Sequence, residues 1–137
     1  MPDSVVLDSC IIAAVFFPER ITERAIEIVE SHDCITVDLA YVEVANVAWK
    51  RVRHSGQDQE IIRSGLADAQ AFIRETCHVV PARDLMPAAY DLACSHGITI
   101  YDALFVAAAV QCGTGLVTSD GRLHDTAKSV VTTQLVR

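Results

Sequence analysis

Asp8, Glu43, Asp102 and Asp120 each stand where a strand-like run ends or where the helix behind it begins. In an open parallel α/β sheet such positions converge, because ligand sites form in the crevice outside the carboxyl ends of the strands. Four carboxylates gathered there repel one another strongly unless cations neutralise them. The pattern points to a divalent-metal site and to phosphodiester chemistry. Mg²⁺ is a hard ion that prefers carboxylate oxygens and water, so an all-acid site without His or Cys suits Mg²⁺ or Mn²⁺ better than zinc. Such an ion polarises a phosphoryl oxygen and acidifies a water, and a second ion about 3.5–4 Å away could stabilise the leaving oxygen. No Ser or Cys nucleophile with a His partner is evident. That favours direct in-line attack by water, with no covalent intermediate.

Each acid also has a purely structural alternative. Asp8 follows Val5-Val6-Leu7 and could cap the next helix. Thr99-Ile100-Tyr101-Asp102 resembles a capping box, and Asp120 in Ser119-Asp120-Gly121-Arg122 could be a turn residue. Glu43 discriminates better. It sits in Tyr41-Val42-Glu43-Val44-Ala45-Asn46-Val47-Ala48-Trp49, where its neighbours are nearly all apolar and the helix is expected to be largely covered. Asn46, Lys50 and His54 share its face, making one narrow polar stripe on an apolar helix. Carboxylates are seldom buried unless paired or bound to a cation.

The elements that must position these residues alternate between strand and helix. Strands are expected at Val5 to Leu7, Cys34 to Val37, Cys77 to Val80, Leu116 to Ser119 and Val130 to Val136. Helices are expected from Ser9 to Phe17, Thr22 to Ser31, about Leu39 to His54, Asp58 to Thr76, Asp84 to His96 and Tyr101 to Cys112, with a short helix or turn from Gly121 to Lys128. Pro18, Gly56, Pro81, Gly97 and Gly113 punctuate them, and Gly65 weakens the fourth slightly. The segment Tyr101 to Cys112 is apolar almost all round, which suits a helix buried against the sheet. The alternation predicts an α/β fold with a parallel sheet covered on both faces and right-handed crossovers.

With 137 residues the chain is read as one domain, 1–137, large enough to fold without disulfides or structural metal. No apolar run approaches a membrane span, and the amino terminus lacks the basic start of a signal peptide, so a soluble cytoplasmic protein is expected. The five cysteines form no C-x-x-C pair, and most lie among apolar neighbours; they read as reduced, buried thiols. The five histidines lack zinc-type spacing. A net charge of −7 runs against bulk electrostatic capture of nucleic acid. The conflict softens if several negative charges are the metal site and if Lys50, Arg51, Arg53 and His54 form a basic rim.

Taken together, Val-Leu-Asp8-Ser9, Glu43 followed by Asn46, Tyr101-Asp102-Ala103 opening an apolar helix, and Thr118-Ser119-Asp120 after a short strand resemble the PIN-domain ribonucleases over essentially the whole chain. Within them the length and motif order are most similar to the VapC-type toxins of toxin–antitoxin modules. The resemblance implies a three-layer α/β/α fold with a mainly parallel central sheet and Mg²⁺- or Mn²⁺-dependent RNA cleavage. It makes Asp8, Glu43, Asp102 and Asp120 the catalytic and metal-binding acids, with Ser9, Asn46 and Thr118 supporting them. Many relatives carry another acid shortly after the fourth; here the position two residues on is Arg122, and Asp125 is the acid that could substitute through the short helix. Arg122, like Lys50, Arg51 and Arg53, is a candidate substrate contact.

Rival chemistries fit less well. A haloacid-type phosphatase wants Asp-x-Asp, whereas position 10 is Cys10; a phospho-receiver wants a Lys after a later strand, whereas the lysines are Lys50 and Lys128. The alternative that stands is a catalytically degenerate module of the same fold that binds RNA or assembles with other proteins. Val47, Trp49, Val52, Ile61, Ile62, Leu66, Phe72 and Ile73 give the segment from Leu39 to Thr76 more apolar bulk than one helix face buries. They either pack internally or, as the resemblance implies, form an antitoxin groove and contribute to a homodimer.

Overall fold

The computed structural model describes residues 3–137. Among them β1 (Ser4–Leu7), β2 (Asp33–Val37), β3 (His78–Val80), β4 (Gly115–Thr118) and β5 (Thr133–Leu135) form a five-stranded sheet in the order β3-β2-β1-β4-β5. Every pairing is parallel. β1 is central, and its Val5, Val6 and Leu7 are fully buried, as a strand covered on both faces requires. The chain builds outward from β1 to β3 on one side, then returns to add β4 and β5 on the other. That reversal puts a topological switch point between β1 and β4, where a crevice opens at their carboxyl ends.

Seven helices cover the sheet in a three-layer α/β/α arrangement: α1 (Ser9–Phe16), α2 (Thr22–Ser31), α3 (Leu39–Arg53), α4 (Gln59–Glu75), α5 (Ala82–His96), α6 (Ile100–Cys112) and α7 (Gly121–Ala127). Helix α1 packs on α2, α3 and α4, whereas α6 packs on α5 and on the central strands. In α6 every residue from Ala103 to Ala109 is buried, which explains its apolar composition on all sides. Gly97 and Gly113 end α5 and α6 in the left-handed region, at φ of +66° and +64°. Among the described residues no single helix is long and apolar enough to cross a membrane.

The observed elements follow the sequence expectation, with three departures. β5 is shorter than Val130 to Val136, because the N–H groups of Val130 and Val131 both turn back to the Ala127 carbonyl at the end of α7. Helix α5 begins at Ala82 rather than Asp84; Pro81 precedes it, and the Ala82 N–H donates to the Asp38 carboxylate. Helix α3 is not largely covered: only Ala40, Val44 and Ala48 form its buried stripe, and Val42 and Trp49 are 66% and 54% exposed. Apolar composition there did not translate into burial, since α4 flanks only one side of the helix.

Gly65 has a role beyond weakening α4. A Cβ at this position would lie 3.0 Å from the Phe16 carbonyl oxygen and 3.1 Å from the Phe17 ring, so α4 crosses the end of α1 through the missing side chain. In an isolated helix Gly→Ala gains about 1 kcal/mol. Here Gly65→Ala is expected to lower stability by roughly 1–3 kcal/mol, because a fixed backbone oxygen must shift. Urea unfolding of the two proteins measures the sign, and a stabilised variant would refute the close packing.

Candidate active site

Asp8 occupies the first position beyond β1, and its N–H still pairs with the Val117 carbonyl of β4 at 3.0 Å. The carboxylate is therefore fixed at the switch point by sheet pairing itself. It also caps α1: Oδ1 accepts from the Ser9 N–H at 2.7 Å, while Oδ2 accepts from the Thr118 hydroxyl at 2.7 Å and from the Cys10 thiol at 3.3 Å. The side chain is only 7% exposed. Burial raises its pKa most, Asp120 raises it further, and the bonds from Thr118, Cys10 and Ser9 oppose the rise.

The other three acids approach from separate elements. Glu43 lies one turn into α3, and its Oε1 accepts from the Ser9 hydroxyl at 2.7 Å. Asp102 is in the first turn of α6. Its N–H donates to Thr99, yet no bond runs back from the Thr99 N–H to the Asp102 carboxylate, so the capping box is half made and the carboxylate stays available. Asp120 caps α7, accepting from the N–H groups of Arg122 and Leu123 through Oδ1 alone. Burial is the first cause that raises Glu43 and Asp102. The charges of Asp8 and Asp102 add to it at Glu43, and those of Asp8 and Asp120 add to it at Asp102. The four acids therefore share one electrostatic site, and two of them are helix caps at the same time.

The residues expected to support them divide. Ser9 and Thr118 each hold a carboxylate, but Asn46 is exposed on the next turn of α3. Asp125 faces His124 and Lys128 along α7, at 3.3 Å and 3.9 Å, and its carboxylate is largely exposed. It does not join the four acids. The expected basic rim is also divided. Arg51 donates to the carbonyls of Pro18 and Phe17, at 3.2 Å and 3.5 Å, satisfying the far end of α1 roughly 12 Å from its capping acid. Lys50 and Arg53 are exposed in that last turn of α3, and His54 packs edge-on against Trp49. Arg122 is different. It lines a cleft of about 210 Å³ together with Asp102 and Asp120.

Cys10 is the residue that composition misplaced. Its sulfur lies within the acid site, donating to Asp8, accepting from the Ser119 N–H at 3.3 Å and touching Thr118 at 3.6 Å. Burial, followed by the Asp8 charge, pushes its thiol up to about 12, so it remains a donor. The available signal was its spacing: two residues after a capping acid, it falls in the first turn of the same helix. Cys94 also departs from the expected burial, being exposed on α5; no cysteine is in a disulfide.

The model for the PIN domain matches residues 5–129. The chain belongs to the PIN-domain family. It is 33% identical over 129 residues to Ribonuclease VapC3 of Pyrobaculum aerophilum, covering 93% of this chain and 98% of the relative. Among solved structures, the PAE2754 protein of Pyrobaculum aerophilum superposes with a TM-score of 0.73 at 19% identity, over 95% of this chain and 82% of that one. VapBC-5 of Mycobacterium tuberculosis, a member of a family of toxin–antitoxin systems, gives a TM-score of 0.59 at 17% identity over 99% of each chain. These structures share the PIN fold with this protein.

The half-made capping box generates a prediction about this PIN domain without metal. Asp102 ionises at higher pH in the folded state than in the unfolded chain, so its charge destabilises the fold above its raised pKa and costs nothing below the ordinary value near 3.8. Asp102→Asn should therefore stabilise the metal-free protein at pH 7. The gain should be below about 1 kcal/mol, since the group is half exposed to screening solvent. It should shrink as pH falls through the raised pKa. Urea midpoints in EDTA between pH 7 and pH 4 report it, and a gain that grows on acidification would contradict the mutual repulsion.

Proposed function

We propose that this PIN-domain protein is a Mg²⁺- or Mn²⁺-dependent ribonuclease that hydrolyses RNA phosphodiester bonds, and that it is the toxin of a toxin–antitoxin pair. The observation that carries the reading is the convergence of Asp8, Glu43, Asp102 and Asp120 at the β1–β4 switch point, close enough that their charges help to raise the pKa of Asp8, Glu43 and Asp102. Further support comes from Ribonuclease VapC3, with which it is 33% identical over 129 residues.

The donor set suits a hard cation. The hydrogen bonds to protein leave Glu43 Oε2, Asp120 Oδ2 and both Asp102 oxygens free, all of them carboxylate oxygens, while Asp8 has nearly filled its acceptor capacity. When bound, such an ion supplies neutralisation of the cluster, polarisation of the phosphoryl group and a more acidic water. The protein's own part is positioning. Ser9 and Thr118 fix the direction of Glu43 and Asp8, so the acids need little reorganisation as charge develops. Arg122, on the lip beside Asp120, is placed to meet an RNA phosphate on an otherwise acidic protein.

A second reading, a catalytically degenerate PIN module that binds RNA or assembles with partners, has one observation in its favour. Among the described residues no three Asp, Glu, His or Cys side chains are already grouped closely enough to hold an ion. The charge effects at Asp8, Glu43 and Asp102 favour the first reading, since they require the acids to be near neighbours.

The toxin role adds an antitoxin, and here the exposed part of α3 and α4 matters. Ile62 and Ile73 are buried and Phe72 stacks on Phe16, but Trp49 and Ile61 remain 54% and 71% exposed beside a groove between the helices of about 340 Å³. We assign that groove to the antitoxin, on the strength of the toxin–antitoxin systems that share the fold. The reading further takes the protein to be cytoplasmic and homodimeric.

Two measurements test it. Millimolar Mn²⁺ should raise the melting temperature at neutral pH by mass action on the folded state. An unchanged value would favour the degenerate module. Total cellular RNA incubated with Mg²⁺ or Mn²⁺ should be cut by the parent protein. Asp8→Asn, Glu43→Gln, Asp102→Asn and Asp120→Asn should each lose on the order of 100-fold or more in rate while remaining folded. Full activity in any two of these variants means that the acids have been wrongly assigned.

A further inference from the structure

Two of the cysteines that the site does not use, Cys34 and Cys77, are brought together by strand register. The parallel pairing of β2 with β3 opens with Ile35 opposite His78, so Cys34 and Cys77, one step back along each chain, stand side by side. Neighbouring strands lie about 4.7–4.9 Å apart, within the roughly 4.4–6.8 Å between Cα atoms that a disulfide spans, and residues opposite one another project from the same face. The two thiols are near neighbours. Burial raises the pKa of Cys77 to about 12, and the charge of ionised Cys34 adds to that rise.

The sulfurs differ in what can reach them. Cys34 is 5% exposed, and its thiol donates to the carbonyls of Val29 and His32 at 3.7 Å and 3.6 Å. Cys77 is half-buried between the exposed Thr76 and His78, so a reagent meets it first. Burial, then the charge of Asp33, pushes Cys34 up to about 11. Neither sulfur is held as a thiolate, so the reduced pair gains no ionic stabilisation and a bond between them resists reduction, although it forms slowly.

We propose that Cys34 and Cys77 form an oxidation site at which a small disulfide such as oxidised glutathione installs an intramolecular cross-link. The Cys77 thiolate attacks one sulfur of the oxidant and releases a first glutathione; the Cys34 thiolate then attacks Cys77 Sγ and releases the second. The two protein thiols are oxidised to one disulfide, the oxidant is reduced to two thiols, and these take up the two protons lost. The ring so closed runs from residue 34 to residue 77 and holds α3 and α4, hence Glu43 and the exposed Trp49. Closing a long loop restricts the unfolded chain more than closing a short one. Both cysteines stand at the amino ends of their strands, away from the carboxyl ends where Asp8 lies, so the cross-link leaves the acids in place. The site is independent of the ribonuclease reading.

The test uses the full chain carrying Cys94→Ser, which removes the exposed thiol of α5. The folded protein is held in excess oxidised glutathione until its thiol count is constant, alkylated with N-ethylmaleimide in urea and digested with trypsin. Cleavage after Arg24, Lys50, Arg74 and Arg83 leaves Cys34 alone in residues 25–50 and Cys77 alone in residues 75–83. Mass spectrometry should find these two peptides joined and lighter than their sum by two hydrogens. The oxidised protein should melt roughly 5–10 °C higher, and dithiothreitol should reverse the rise. Adding Cys77→Ser should abolish both effects, whereas adding Cys34→Ser should trap Cys77 as its glutathione adduct. Recovery of both cysteines as alkylated thiols overturns the site, as does a Cys77 adduct that persists while Cys34 is present. A cross-link that fails to raise the Tm overturns it too, because the strands then do not hold the sulfurs in bonding position.

Discussion

Repulsion between carboxylates that the backbone does not allow to separate is the constraint around which the rest of the molecule is arranged. Asp8 cannot retreat, because its own N–H is still part of the β1–β4 pairing. Asp120 is held by two N–H groups at the start of α7, and Asp102 directly precedes the run Ala103 to Ala109 that buries the middle of α6. A parallel sheet with its switch point between the first and fourth strands brings these separate chain segments to one crevice. The fold thus concentrates charge, and burial at the same place makes the charge costlier.

Local donors offset that cost, and their chemistry is uniform. Hydroxyls from Ser9 and Thr118, the Cys10 thiol and the first N–H groups of α1 and α7 all point hydrogen toward carboxylate oxygen. Charge-assisted bonds of this kind are stronger than neutral ones, so they fix orientation as well as lowering the penalty. Basic side chains play no part: neither Arg nor Lys pairs with any of the four acids among the described residues. An arginine ion pair would occupy the same oxygens and neutralise the cluster permanently. Neutral donors orient the carboxylates and leave the negative potential of the cluster in place.

How much of this could be read from the chain depended on whether a residue's role was set locally. The strands, the helix ends at Gly97 and Gly113 and the buried α6 followed from period and punctuation. The positions of Asp8 and Asp120 were legible because each follows a strand, β1 or β4, whose carboxyl end has a known destination in a parallel sheet, whereas Asp102 follows α5 and is brought near them only by the fold. What failed required knowledge of neighbours. Arg51 looked like part of a basic rim, but its guanidinium serves the open end of α1. The helix carrying Val42 was expected to be largely covered and Trp49 could have packed internally, but among the described residues both stay exposed on α3. Cys10 looked like another buried thiol, because nothing in its flanks announces that β4 will bring Thr118 and Ser119 against it.

The acidic balance of the chain also takes on a different meaning once the site is placed. Of the −7 net charge, the four site carboxylates account for four units, leaving −3 over the remaining surface. Such a surface gives little non-specific hold on polyanions, since phosphate affinity comes chiefly from Lys and Arg neutralising charge. A nuclease of this kind cannot rely on general adhesion to RNA. Any hold on phosphate has to be local, and Arg122 beside Asp102 and Asp120 is placed to supply it.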